Sequence, residues 1–204
     1  MEMLDVVQRV LRTNIPRVSP SGRLKTWQTI VDKLKREPTM ALSRMHDIAG
    51  TRLVESMNRM EQDVLAGEIR DALAREVGPV TTVDRRRRPS FGYRAVHVVT
   101  QLDGRYVEVQ VRTKMQDDWA QIVERLGDSW GRQVRYGDAP ADDSARGEFW
   151  ASVLAMADLV DRLESLVEDE ARRDVEASDE LMTFESEFSE HLNALREMVE
   201  QGTL

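Results

Sequence analysis

Residues 95–102 and 106–112 form two alternating runs joined by Asp103-Gly104, and this pairing constrains the fold more than any other feature of the chain. An aspartate-glycine pair accepts the positive backbone angles that a two-residue hairpin turn requires. Side chains alternate along a strand, so Val107, Val109 and Val111 share one face while Glu108, Gln110 and Arg112 share the other. The valine face belongs to a core. The Glu-Gln-Arg face is unusual as pure structure and marks the first candidate site.

The flanking sequence supplies the rest of a small α/β scaffold. Residues 3–13 read as a helix ending before Pro16, and Ser19-Pro20-Ser21-Gly22 as a loop and helix entry. Leu24, Trp27, Ile30, Val31 and Leu34 recur at helical spacing, which predicts a helix over 23–36 stopped by Pro38. A strand is predicted over 47–55 and a helix over 57–77, closed by Gly78-Pro79; a strand over 80–83 precedes the hairpin. A helix over 114–133 is followed by a loop carrying Gly137 and Pro140 and then by two long helices. Their stripes are Trp150, Val153, Ala157, Val160, Leu163 and Val167, and then Leu181, Phe184, Phe188, Leu192, Leu195 and Val199. The alternating three-four spacing is that of a coiled-coil seam. The expected organisation is an α+β module over 1–140 with a helical hairpin over 141–204, packed on the module or on another subunit.

Charge separates the same two regions. Residues 151–204 hold fifteen Asp and Glu against four Arg, a balance of −11, which leaves residues 1–150 at +3 of the chain's total of −8. A mildly basic module fits an anionic substrate and equally an ordinary solvated surface. There is no cysteine, which excludes disulfides and cysteine-based zinc sites. No signal-like leader and no bilayer-length apolar run is present in the 204 residues, so a soluble cytoplasmic protein without a membrane partner is expected.

Four short blocks concentrate the chemistry. In the first, Lys25, Thr29 and Lys33 fall four residues apart and share a face with Arg23 nearby; such a face can grip nucleotide phosphates or be the solvated side of an amphipathic helix. In the second and fourth, Asp47 and Glu108 stand on two strands and can hold Mg²⁺ between them, with phosphates completing the shell; the alternative is a surface ion pair of Glu108 with Arg52 or Arg112. In the third, Tyr93 and His97 lie on one side of a strand after the run Arg85-Arg86-Arg87-Arg88, which is either a solvated loop or a phosphate-approaching one. Tyr93 can stack on a base. His46 is a weaker candidate, and His191 reads as hairpin surface. No Walker loop, Rossmann glycine fingerprint, zinc set or nucleophile elbow is present.

In order, the blocks read Arg23-Leu-Lys25 with Thr29-Ile-x-x-Lys33, Asp47-Ile-Ala-Gly-Thr-Arg52, Gly92-Tyr-Arg-Ala-Val-His97 and Glu108-Val-Gln-Val-Arg-Thr113. This series resembles the synthetase domain of the RelA/SpoT family, over about 21–136. The resemblance implies a mixed sheet flanked by helices, related to nucleotidyltransferases, and transfer of pyrophosphate from ATP to a 3′-hydroxyl. It implies ATP contacts from Arg23, Lys25, Thr29 and Lys33; Mg²⁺ on Asp47 and Glu108, with Glu108 also helping to activate the attacking hydroxyl; and charge stabilisation by Arg52. The acceptor is then met by Arg88, Tyr93, His97, Gln110 and Arg112, with Tyr93 stacking on its base. Phosphoryl chemistry of this kind relies on metal, fixed cations and placement, and needs no covalent nucleophile.

The chain departs from the family's usual pattern at Thr29 (serine), Phe91 (asparagine), Ala95 (serine) and Arg125 (histidine). Three functions follow: a small alarmone synthetase acting on GDP or GTP; a toxin that pyrophosphorylates the 3′ end of tRNA, with Arg85, Arg86 and Arg87 neutralising RNA backbone and an antitoxin as partner; or an inactive binding module. The hairpin's stripes serve a homo-oligomer, an antitoxin or the monomer's own core equally well.

Overall fold

The computed structural model describes residues 2–138, 144–173 and 178–201; Pro140, expected in the loop before the hairpin, lies outside them. The chain divides into two compact units. The first comprises residues 1–55, 61–84 and 96–112, the second residues 56–60, 85–95 and 113–204.

The first unit is built on a mixed five-stranded sheet. Its strands are β1 (Ser21–Leu24), β2 (Ala49–Glu55), β3 (Val80–Asp84), β4 (Val96–Leu102) and β5 (Arg105–Thr113), in the order β1-β2-β5-β4-β3. The predicted hairpin is β4–β5, in which Val98 faces Val109 and His97 faces Gln110. Asp103 (φ 49°) and Gly104 (φ 74°) both take the left-handed conformation that closes such a turn without splaying the strands. Register follows from the alternation. Val107, Val109 and Val111 are fully buried on one face with Val96 and Val98, and a one-residue slip would exchange them for Glu108 and Gln110.

Helices α1 (Glu2–Asn14) and α3 (Arg59–Glu76) serve that apolar face. The Gln8 amide reaches Thr51 on β2 (3.4 Å), and the Gln62 amide donates to the Val111 carbonyl on β5 (2.9 Å). Asn14 joins the two helices through Glu76 (2.7 Å). A Cβ on Gly22 would lie 2.7 Å from Gln8, so glycine lets α1 lie close over β1.

The sequence predicts a helix from residue 23, and here the structure differs. Residues 21–24 pair antiparallel with β2, and helix α2 starts only at Trp27, running to Arg36. The start is set by Thr26, whose hydroxyl accepts from the Thr29 amide. Four residues alternating about Arg23 satisfy a strand as well as a helical stripe, and an edge position beside β2 decides between them. Similarly, α4 (Lys114–Trp130) stops short of residue 133 because Gly131 (φ 108°) leads into a 3₁₀ turn, Arg132–Tyr136.

The second unit packs α4 with α5 (Ser144–Arg172) and α6 (Asp179–Glu200). Trp150, Val153, Ala157, Val160, Leu163 and Val167 are all buried, so the first stripe is core. Among the described residues of α6 the buried side chains are Leu192 and Val199, while Phe184 is exposed. The Trp119 indole donates to the Val153 carbonyl (2.7 Å), satisfying a buried donor.

Glu164 is the polar centre of this unit. At 3% exposed it accepts from Arg59 Nε (3.1 Å), Gln116 (2.8 Å) and the Thr113 hydroxyl. Glu164→Ala leaves the buried Arg59 guanidinium short of counter-charge and should cost about 3–5 kcal/mol, read as a lowered urea midpoint. A loss under about 1 kcal/mol would refute this assignment.

Candidate functional site

The sheet face opposite α1 gathers part of the predicted residues. Arg23 on β1 stands beside Gly50 on β2, and Ser21 beside Arg52, so both arginines share one face. Asp47 sits in a turn two residues ahead of β2. The first residue after β1, Lys25, is tied to that turn by its backbone bond to the Ile48 carbonyl (2.9 Å). Arg23, Lys25, Asp47, Gly50, Thr51, Arg52, Glu108 and Gln110 line one hollow of about 90 Å³. A Cβ on Gly50 would lie 3.2 Å from the Glu108 carbonyl oxygen, so glycine keeps β2 close to β5 at the floor.

Two ammonium groups converge on Asp47. Lys33, from α2, reaches both carboxylate oxygens at 3.1 Å, and Lys25 bonds the same carboxylate. Burial pushes the Asp47 carboxyl up, but the bonds and charges of Lys25 and Lys33 outweigh it and hold it below the usual value. The expected shared face of Lys25, Thr29 and Lys33 is thus realised differently: the lysines meet at Asp47 from a strand end and a helix, while the Thr29 hydroxyl bonds Thr26 (2.6 Å) at the head of α2.

Glu108 is 5% exposed and its partner is His97, through Nδ1 and Oε1. The sequence left Glu108 open to a surface ion pair, whereas its carboxylate is buried and paired with His97. Imidazole and carboxylate come from adjacent strands on the polar face, one diagonal step apart in the register. Burial pushes the Glu108 carboxyl up; the hydrogen bond and charge of His97 pull it down, Asp47 opposes them, Lys33 assists, and the net position is below the usual value. Arg112 is 2% exposed and donates to the Gln110 side-chain oxygen (2.8 Å), so it orients Gln110 from within the sheet. His46 lies tilted against Tyr106 with ring centres 4.2 Å apart, and His191 bonds the Glu187 carbonyl on α6.

Asp47 and Glu108 offer hard oxygen donors to one hollow, a set that fits Mg²⁺. Among the described residues no group of three or more His, Cys, Asp or Glu side chains can enclose a metal by itself. Two carboxylates therefore fit a cation whose remaining ligands are water and phosphate oxygens.

Tyr93 and Arg85–Arg88 belong to the second unit. Ser90 and Tyr93 exchange backbone bonds (3.0 and 3.3 Å) across Phe91 (φ 53°) and Gly92 (φ 87°). Left-handed backbone at Phe91 explains the asparagine expected there, since asparagine tolerates this region best among non-glycine residues. Tyr93 packs its ring partly against the core of α4, α5 and α6. Arg85, Arg87 and Arg88 are exposed; Arg86, half-buried, donates to the Arg59 carbonyl (3.4 Å).

Residues 22–126 match the family described as "Region found in RelA / SpoT proteins". The chain belongs to the RelA/SpoT family. Curated relatives are uncharacterized proteins of Mycobacterium tuberculosis and Mycobacterium bovis, each 39% identical over 120 residues, or 59% of this chain. The match spans 43% of the length of those relatives. Among solved structures, small alarmone synthetase 1 from Bacillus subtilis bound to its product pppGpp is 20% identical with a TM-score of 0.55, covering 83% of this chain and 89% of that one. The same enzyme bound to AMPCPP gives 18% and 0.51, covering 84% and 93%. At these identities the likeness establishes the fold. The RelA/SpoT match ends inside α4, so α5 and α6 lie outside it. Among the described residues no helix is long and apolar enough to cross a membrane.

Sequence reasoning assigned no role to Arg94, Arg59 or Glu164. A signal was available for the first, an arginine between Tyr93 and the apolar start of β4; nothing local marks the other two.

Proposed function

We propose that this RelA/SpoT-family protein is a cytoplasmic pyrophosphotransferase that moves the β,γ-pyrophosphate of ATP to the ribose 3′-hydroxyl of GDP or GTP. The observation that carries this reading is the convergence of Arg23 and Lys25 with Asp47 and Glu108 on one hollow, where Lys33 also bonds Asp47. The B. subtilis structures bound to pppGpp and AMPCPP support nucleotides as the substrate class. The hydroxyl oxygen forms a bond to the β-phosphorus, the bond from that phosphorus to the α-bridging oxygen breaks, and AMP leaves. Arg23, Lys25 and Lys33 bind the triphosphate, and Arg52 neutralises charge that builds on the transferred group. Glu108 holds the hydroxyl and takes its proton, while His97 fixes the carboxylate's direction. Asp47 and Glu108 would hold Mg²⁺, which when bound would neutralise phosphate charge. The lysines paired with Asp47 turn to the triphosphate on binding, an exchange of one set of ion pairs for another.

A second reading takes the 3′-terminal ribose of tRNA as acceptor, favoured by exposed Arg85, Arg87 and Arg88 beside the Tyr93 loop. Incubation with γ-labelled ATP separates the two. Label in GDP or GTP with equal release of AMP is expected. Label in deacylated tRNA alone decides for the second reading, and no label in either acceptor overturns both.

A further inference from the structure

We propose that helix α5 forms the back of the acceptor-binding loop and that Arg94 is the residue that positions this loop. The inference rests on the transfer proposed above and on the role that the family resemblance implies for Tyr93, stacking on the acceptor base. It adds a function for the part of the chain that the family match does not reach.

The loop 90–94 touches the helices of its own unit at three places. The Phe91 ring lies against Gly137, after the 3₁₀ turn. Gly92, in left-handed backbone, lies so close to the Trp119 ring and to Ala157 that a Cβ there would stand 2.8 and 2.9 Å from them. The strongest hold is Arg94, 6% exposed. Its Nη1 donates to two carbonyls at once, Gly92 of its own loop (3.1 Å) and Ala157 of α5 (3.0 Å). Its Nη2 donates to Asp158 (3.2 Å), and its Nε lies 3.2 Å from Asp161.

Asp161 also pairs with Arg59, which is anchored by Glu164 and by the Ser165 hydroxyl (2.8 Å). Residues 157–165 of α5 thus bind two buried guanidiniums, one of which grips the carbonyl next to Tyr93. A guanidinium offers five donors in a rigid plane, and only such a group can span a loop carbonyl, a helix carbonyl and two carboxylates together. The Tyr93 backbone is closed on Ser90, and Arg94 fixes that closed turn from behind. Acceptor affinity should therefore depend on α5, and donor affinity, set by Arg23, Lys25 and Lys33, should not.

The test uses the full chain with Arg94→Ala, Arg94→Lys and Asp161→Asn, varying ATP and the acceptor separately. Arg94→Ala should raise the acceptor KM about ten- to hundred-fold, the range for a misplaced binding group, with the ATP KM within about twofold. Arg94→Lys should recover only part of this, since an ammonium lacks the planar fork, and Asp161→Asn should shift the same KM in the same direction. Equal shifts in both KM values, or an unchanged acceptor KM, overturn the proposal. Hydrogen exchange provides a readout free of activity. In Arg94→Ala the Tyr93 amide should exchange at least about tenfold faster while amides of α4 keep their rates. Unchanged exchange at Tyr93 overturns the clamp even if the wild type transfers nothing, whereas faster exchange in an inactive wild type preserves the clamp and removes only the functional reading. Should Arg94→Ala fail to fold, Arg94→Lys and Asp161→Asn carry the same two measurements.

Discussion

Glu108→Gln should lower pyrophosphate transfer by about 10³-fold while leaving the fold intact, the range for removing a group that acts on the transition state. The amide oxygen of the new side chain can still accept from His97, so the buried pair keeps its shape and loses only charge. Two functions go together: a carboxylate donor for Mg²⁺ and the proton acceptor for the hydroxyl. The binding of ATP to Arg23, Lys25 and Lys33 is separate, and the ATP KM should change by no more than about threefold. The measurement is single-turnover transfer from γ-labelled ATP, with urea unfolding as a control. Near-normal turnover in the variant would remove Glu108 from the chemistry.

His97 gives this experiment a second arm. The Glu108 carboxyl is held below its usual value largely by His97, so the carboxylate is ionised throughout the neutral range. A depressed carboxyl contributes stability that is complete above its unfolded value, about 4.3, and is lost as pH falls through the lower folded value. Glu108→Gln removes that contribution, so its stability difference from wild type should narrow in acid.

The parts of the fold that could be read from sequence are those where local chemistry and tertiary context agree. Asp103-Gly104 demands positive φ whatever surrounds it, and the Val107–Val111 alternation has one register that buries valine. The first strand could not be read, because Ser21–Leu24 forms it only by pairing with β2. Its side chains fit the stripe of the following helix just as well. Around the hollow, the unusual residues could be singled out from the sequence, whereas their partners could not. Glu108 stood out as a charge among valines, yet His97 becomes its partner only through the β4–β5 register, and Arg112 proves to be enclosed. The Glu164 and Arg94 networks join residues far apart in the chain, so no local pattern announces them. The hairpin's apolar stripes were visible, but the burial of the first against α4 was one of several packings open to it.

Asp47→Asn should abolish transfer to a similar degree, about 10²–10³-fold, and it should also change stability with a definite pH signature. In wild type the carboxylate sits between Lys25 and Lys33, and its loss leaves two ammonium groups facing each other without a shared counter-charge. The pair is half-buried, so the cost lies between that of an exposed pair and a buried one, about 1–3 kcal/mol at neutral pH. The sign follows from the depressed Asp47 carboxyl. Folding favours its charged form, so the stabilisation is fully present above the usual value of 3.8 and is lost as pH falls through the lower folded value. Urea unfolding of wild type and variant should therefore diverge at pH 7 and converge towards pH 3. A difference as large at pH 3 as at pH 7 would locate the effect in packing. At pH 7, binding of ATP without Mg²⁺ should survive or tighten in Asp47→Asn, because the lysines no longer have to leave a carboxylate to reach the phosphates. Wild type should gain affinity for ATP when Mg²⁺ is added and the variant should gain little. Calorimetric titration with and without the metal measures both. An equal Mg²⁺ gain in the two proteins would take Asp47 out of the metal site and leave it as the resting partner of Lys25 and Lys33.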